Sequence, residues 1–274
     1  MNNLKTVALL AALSGLLIAV GGALGGMQGA FMFFLISAVM NIGAYWFSAD
    51  IVLRTAGAKE IKQEDDPQLF AMVADVAQRS GMPMPRVYII DSAQPNAFAT
   101  GRNPEHAAVA VTTGIQALLT ERELLGVLGH EIAHVKNRDI LTSTVVATIA
   151  SAITTLSYMA MWFGGSRERG NGAAGLLAMI IAPIAATIIQ LSISRTREYQ
   201  ADRDGARVVG DPEALASALA KMHMGAQRTP MMVPESTAHL YIVNPFSGRQ
   251  LTGLFSTHPP IEERIARLRS MRIT

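Results

Sequence analysis

The residues with the most chemical content are His130-Glu131-Ile132-Ala133-His134, an H-E-x-x-H pentad. On a helix the two imidazoles fall at i and i+4, on one face, with room for a metal ion between the rings. Glu131, beside the first histidine, is then placed to take a proton from a water on that metal. A lone histidine on an amphipathic helix is ordinarily a packing or solvated residue, whereas the pair with its acid points to metal. The chain has no cysteine, so neither a disulfide framework nor thiolate ligation is open to it, and a metal must be held by histidine and carboxylate.

Catalytic zinc takes three protein ligands and leaves one position for water, so a third ligand has to come from elsewhere. No histidine follows at the H-E-x-x-H-x-x-G-x-x-H spacing, which leaves a carboxylate on a second helix as the remaining common solution. Glu198 and Asp202, in Arg197-Glu198-Tyr199-Gln200-Ala201-Asp202, stand at i and i+4. One acid can bind the metal while the other accepts a hydrogen bond from the far ring nitrogen of a ligand histidine. Spacing alone leaves a second reading open, in which both acids pair with Arg195, Arg197 or Arg203 on a solvated face. His106, His223 and His239 have no partner at informative spacing and read as surface or packing residues.

The elements that must position these groups are partly legible. Thr120 and Glu123 have capping-box spacing, which predicts a helix from there to about Asn137 with the pentad on it. Asp66-Pro67 starts an earlier helix, with Leu69, Phe70, Val73, Val76 and Ala77 on one face and Gly81 ending it. Residues 86–91, 96–100 and 107–113 read as strands of a small sheet, the last two joined through a turn at 101–104. Residues 197–209 look helical, Asp211-Pro212 starts a helix reaching about Met224, and Pro259-Pro260 opens a last one to about Met271. Between them, residues 227–254, rich in Pro, Gly and Thr, read as a long loop.

Half the residues are hydrophobic, more than a wholly soluble globule carries, and the excess sits in four runs nearly free of charge at 7–24, 29–53, 140–165 and 173–194. Each reaches the roughly 17–25 residues a helix needs to cross a bilayer. The first run, preceded by Lys5, also fits a signal peptide, but no A-x-A site ends it and the second run follows at once, as in a helical hairpin. Gly21, Gly22, Gly25 and Gly26 supply small-residue spacings for close packing there. Lys5, Arg54, Lys59, Lys62, Lys136, Arg138, Arg195 and Arg197 would all lie on one face, the cytoplasmic one, with Arg167 and Arg169 counting against that assignment. Net charge is only +2, which gives no case for nucleic acid.

Four motifs in this order, NAFATG (96–101), HEIAHVKNRD (130–139), SRTREYQADRDGA (194–206) and STHPPIEER (256–264), together with the flanking apolar runs, resemble the HtpX-type membrane zinc metallopeptidases, relatives of the CAAX prenyl endopeptidases. The resemblance spans essentially the whole chain. It implies an α-rich α+β membrane protein, with four transmembrane helices and a gluzincin-like protease domain that contains a small sheet with antiparallel pairs. The corresponding division is a membrane hairpin at 1–53, a cytoplasmic protease part at 54–139, a second hairpin at 140–194 and the rest of the protease at 195–274. By the same resemblance His130, His134 and Glu198 hold one Zn2+ per chain, Asp202 stands behind them, and Glu131 is the general base.

His258 and Arg264 resemble residues that contact the tetrahedral oxyanion; the bland alternatives are a helix-entry turn and a surface arginine. Asn96, Ala97, Phe98 and Ala99 resemble an edge strand that holds an extended substrate through its backbone, against the alternative of an interior hairpin strand. The implied activity is endoproteolysis of membrane or misfolded proteins, in quality control under stress, at a bacterial inner membrane with both termini cytoplasmic. A site inside the bilayer is disfavoured by Glu121, Arg122, Glu123, Lys136, Arg138 and Asp139 flanking the pentad. A transporter would need ionisable residues within the apolar runs, which nearly lack them. The remaining rival is a non-catalytic metal-binding membrane scaffold, which has no need of Glu131.

Overall fold

A computed structural model describes residues 2–141, 145, 195–228, 242 and 259–272. The chain opens with α1 (Asn2–Thr55), which is helical except at Gly25 and Gly26, where the backbone leaves helical geometry. Gly26 has φ 60° and ψ −146°, a conformation that an L side chain rarely adopts. The two halves of α1 double back on each other. A side chain on Gly21 would stand 2.5 Å from the Gly29 carbonyl oxygen and 2.7 Å from Phe33 Cβ, and Asn41 Nδ2 donates to Ser14 Oγ at 2.8 Å.

The second half, Gly25–Thr55, is long and apolar enough to cross a membrane, and only 11% of its most apolar window is buried within the protein. Phe31, Met32, Val39, Ile42, Trp46 and Phe47 point outward. A core helix of a soluble protein would bury such a face, so hydrocarbon is the environment that fits it. The expected third and fourth apolar runs lie outside the described residues, apart from Ile140, Leu141 and Val145.

Four strands follow: β1 (Ala58–Ile61), β2 (Arg86–Ile90), β3 (Ala97–Thr100) and β4 (Ala108–Thr112), with a 3-10 turn at Pro104–His106 before the last. The sheet order is β1-β2-β4-β3, with β2 and β4 parallel and the outer pairs antiparallel, so among the described strands β3 stands at an edge. β1 was not anticipated, because its sequence AKEI is short and polar at its centre. β4 is buried along its whole length, and its AVAVT sequence accordingly shows no alternation of polar and apolar residues.

The two faces of the sheet separate cleanly by strand periodicity. Val87, Val109, Val111, Ala97 and Ala99 join the main core, whereas Tyr88, Ile90, Ala108, Ala110 and Phe98 pack with Val52 and Leu53 of α1. The membrane helix is thus packed directly against one face of the sheet.

The main core is closed by helices. α2 (Pro67–Arg79) is capped by Asp66, which accepts from Leu69 N at 3.0 Å, and buries Leu69, Val73, Val76 and Ala77. A short α3 (Thr113–Leu118) leads into α4 (Glu121–Lys136), which begins at the predicted capping box. Glu123 of that box also accepts from Ser217 Oγ at 2.6 Å and Lys221 Nζ at 2.7 Å, both from α6 (Pro212–Arg228). Burial would raise the Glu123 pKa, but these donors and Thr120 outweigh it and hold the carboxyl down at about 2. α5 (Arg195–Val209) and α7 (Ile261–Arg269) complete the described helices.

α6 runs about a turn beyond the expected Met224, taking Gln227 and Arg228 from the expected loop. Gly225 does not stop it; its missing side chain lets Pro95 and Leu118 approach to 3.0 and 3.3 Å of the Cβ position. The rest of that loop, except Ile242, lies outside the described residues.

Candidate metal centre

Glycine sets how closely α4 and α5 approach. A Cβ on Gly205 would lie 2.6 Å from the Gly129 carbonyl carbon and from His130 N, and one on Gly129 would lie 3.0 Å from Gly205 O. On the same side of α4, a Cβ on Gly126 would meet Leu215 N at 2.7 Å. Backbone-to-backbone contact of this kind brings the acids of α5 over the histidines of α4. Glu198 and Asp202 are buried there, and so are His130 and Glu131.

His130, His134 and Glu198 each offer one ligand atom, and the three atoms lie within 4.8 Å of one another. His130 Nε2 and His134 Nε2 are 3.2 Å apart; Glu198 Oε1 is 3.4 Å from His134 Nε2 and Oε2 is 3.8 Å from His130 Nε2. Tetrahedral zinc with ligand bonds of about 2.0–2.2 Å separates its ligand atoms by about 3.3–3.6 Å. The donor set and its spacing therefore fit zinc, with one coordination position left over. Both α5 acids are buried rather than on a solvated face, while Arg197 lies 3.6 Å from Asp139 and Arg203 lies 3.7 Å from Asp204.

Behind the three donors stands a set of buried ionic contacts. Asp202 Oδ1 is 2.9 Å from His130 Nδ1, which makes Nδ1 the protonated nitrogen and turns the Nε2 lone pair toward His134 and Glu198. Arg264 grips Asp202 with both arms, Nε to Oδ2 at 2.8 Å and Nη2 to Oδ1 at 2.7 Å. Its Nη2 also lies 3.5 Å from both ring nitrogens of His130, and Nη1 lies 3.8 Å from Glu198 Oε2. The side chain is 1% exposed, so it is no surface arginine. Burial would push the Asp202 carboxyl up, but the charge and hydrogen bonds of Arg264, aided by His130, hold it well below the usual carboxylate range.

His134 is served by a residue the spacing did not single out. Asp139 Oδ2 lies 3.4 Å from His134 Nδ1. It gets there through the end of α4: Arg138 takes φ 57°, Arg138 N donates to Val135 O at 3.0 Å and Asp139 N donates to His134 O at 3.0 Å. This is a Schellman closure, in which the left-handed residue is arginine where glycine is usual. The reversal folds Asp139 back beneath the last turn. The available signal was its place just past the helix end, where it read only as a flanking charge.

Burial pushes the His130 imidazole down to about 4, only partly opposed by Asp202. It would also depress His134, but Glu198, Asp139 and Glu131 outweigh it and hold the imidazolium up at about 10. Burial raises Glu131 to about 7, with His134 opposing and Glu198 reinforcing. Such a concentration of negative charge around buried imidazoles is what a divalent cation would neutralise.

Glu131 Oε2 accepts the N–H of Ala99 at 2.8 Å, so β3 abuts the site through its backbone. Asn96, just before β3, is buried and accepts from Ile242 N at 3.3 Å through Oδ1; Ala97, Phe98 and Ala99 are buried too. Ile242 O in turn accepts from Arg264 Nη1 at 3.3 Å. His258 lies outside the described residues. His106, exposed, bonds Asn103 at 2.7 Å through Nδ1.

Residues 63–272 match Peptidase family M48. The chain is 53% identical over 279 residues to a protease HtpX homologue of Burkholderia thailandensis and to one of Burkholderia mallei, covering 100% of this chain and 98% of each relative. A crystal structure of S. mikatae Ste24p shares the fold with a TM-score of 0.53 at 19% identity, over 96% of this chain and 64% of that one.

Proposed function

Because the chain belongs to peptidase family M48, we propose that its zinc centre is built by His130, His134 and Glu198 and that Glu131 performs the proton transfers of peptide-bond hydrolysis. The protein is a membrane-associated zinc metalloprotease. Bound there, zinc lowers the pKa of a water toward neutrality and polarises a carbonyl oxygen. The observation that carries the residue assignment is the convergence of three donor atoms within 4.8 Å beside a buried carboxyl whose pKa stands at about 7.

A base with that pKa is poised to take a proton near neutral pH and to give it up again. Glu131 takes the proton of the attacking water and passes it to the leaving amine, and no acyl-enzyme forms. Asp202, kept ionised by Arg264, holds His130 in the tautomer that presents Nε2; Asp139 does the same for His134. Arg264 acts through Asp202 as a positioning residue. His258 is assigned to the oxyanion on the strength of its place in the STHPPIEER motif alone.

Substrate enters as an extended strand along β3, using the backbone of Asn96, Ala97, Phe98 and Ala99. The edge position of β3 and the Ala99 N–H directed at Glu131 support this reading. The finer membrane arrangement, proposed from charge and hydropathy, is four spans, with the protease assembled from 54–139 and 195–274 on the cytoplasmic side of a bacterial inner membrane. Since α4 ends where the third apolar run begins, substrates that are themselves held in the membrane suit the site. Quality control of damaged membrane proteins under stress is the role the sequence resemblance implies.

The test is Glu131→Gln in detergent-purified protein. Casein cleavage is expected to fall by about two to four orders of magnitude, while bound zinc stays at the wild-type level and a chelator abolishes the wild-type activity. Undiminished cleavage by this variant would remove Glu131 from the mechanism, and a wild type that binds zinc without cleaving anything would favour the scaffold reading.

A further inference from the structure

Two turns before Val52 and Leu53, α1 forms one wall of a cavity of about 320 Å³, with Tyr45, Trp46 and Asp50 facing Arg86, Arg102 and Glu105 of the protease part. None of these residues belongs to the metal centre. Their position along the membrane helix is what gives the cavity meaning. A helix crosses about 30 Å of hydrocarbon in about 20 residues. A span that begins at the Gly25–Gly26 reversal therefore leaves the hydrocarbon near Tyr45. The headgroup layer adds about 5–7 Å, or roughly three to five residues, which is the stretch from Tyr45 to Asp50. Tyr45 and Trp46, packed edge-on with ring centroids 5.5 Å apart, are the residue types that gather at this level.

The charges of the cavity are balanced and only half satisfied. Arg86 Nη2 lies 3.3 Å from Asp50 Oδ1. The Arg102 guanidinium lies over the Trp46 ring, 4.7 Å from its centroid. Among the described residues, neither Arg102 nor Glu105 makes an ion pair, although both line the same cavity. Among the described residues, one cation and one anion thus line the cavity outside any ion pair, at headgroup depth. A site for a simple anion has no use for Glu105 and Asp50; a ligand that carries a phosphate and an ammonium a few bonds apart answers both signs. The volume lies at the lower end of small-molecule pockets, about 300–1,000 Å³, and suits a headgroup rather than acyl chains. One and two turns toward the bilayer centre from Trp46, on the same helical face, Ile42 and Val39 are exposed and offer a track for an acyl chain.

We propose that the cavity between α1 and the β2 and β3–β4 region binds the phosphoethanolamine headgroup of a bilayer phospholipid, with the phosphate on Arg102 and the ammonium on Glu105. Such a lipid would tether the protease part to the membrane surface at a fixed height, independently of catalysis.

The chain has two tryptophans, Trp46 and Trp162, so Trp162→Phe in the full-length protein leaves Trp46 as the one fluorophore. In detergent this protein is titrated with dihexanoyl lipids bearing ethanolamine, glycerol or choline headgroups, and with free phosphoethanolamine, while Trp46 emission is followed. The ethanolamine lipid is expected to give a saturable change and free phosphoethanolamine a weaker one. The choline lipid, whose nitrogen has no N–H, should bind less well. Half-saturation should rise about tenfold or more in Arg102→Gln and in Glu105→Gln, as for loss of a charge-assisted bond, with zinc content and casein cleavage unchanged. A glycerol-headgroup lipid that binds as tightly and is weakened only by Arg102→Gln would overturn the zwitterion in favour of a plain anion site. Equal responses to the ethanolamine and choline lipids, or indifference to both substitutions, would also overturn the proposal.

Discussion

His134 is where the charges of the site converge. Its imidazolium stands at about 10 although it is buried, because Glu198, Asp139 and Glu131 outweigh desolvation. A histidine ligand must be neutral, so below that pH zinc uptake at His134 has to expel its proton, whereas His130, at about 4, is already neutral. The sign follows: zinc binds more tightly as pH rises. Competition against a chelating dye is expected to show affinity increasing about tenfold per pH unit between about pH 6 and 8, with Glu131, at about 7, steepening the lower part. Affinity that does not change over that range would mean that His134 gives up no proton to the metal. At this scale the pentad was legible because its whole geometry lies within one helical turn. Asp139 was not, because it reaches His134 through the left-handed Arg138; Arg264 was singled out only by the family resemblance, as an oxyanion contact, and its grip on Asp202 was not legible because the two are distant in sequence and nothing local says that an arginine is buried.

The crossing of α4 on α5 has no tolerance for bulk. At Gly205 an added methyl would sit 2.6 Å from backbone atoms of α4, which cannot swing aside as a flexible side chain would. Gly205→Ala is therefore expected to cost about 1–3 kcal/mol and to push Glu198 and Asp202 off the histidines. Thermal melting and zinc content report the two effects; a variant with unchanged melting temperature and full zinc would show that the crossing has slack. Read as sequence, Gly129 and Gly205 are only weak helix residues, and their meaning is visible once the partner backbone is in place. The capping box of α4, the Asp66 cap of α2 and the three apolar strands were legible, each being a local pattern. The edge position of β3 was signalled only by the family resemblance, since strand order is decided by which faces the helices cover.

At the scale of the molecule, the described apolar helix is joined to the protease part: Val52 and Leu53 of α1 pack under the sheet while the outward face of the same helix is apolar and exposed. Composition made the membrane legible, because exposed apolar residues at this density have no other solvent. The chain is free of cysteine, so single-cysteine variants report sidedness without background. Met27→Cys, at the exposed hairpin turn, is expected to react with an impermeant maleimide in intact spheroplasts, and Lys59→Cys only after permeabilisation; the reverse pattern would invert the proposed topology. The proposed metal centre is a whole-molecule property, since its histidines and its acid are contributed by α4 and α5, on either side of residues 140–194. Zinc content of detergent-purified wild type and Glu198→Ala, prepared alike, tests that convergence most directly. The wild type should hold about one zinc per chain and the variant close to none, with near-ultraviolet circular dichroism unchanged. A full complement of zinc in Glu198→Ala, bound as tightly as in the wild type, would contradict it.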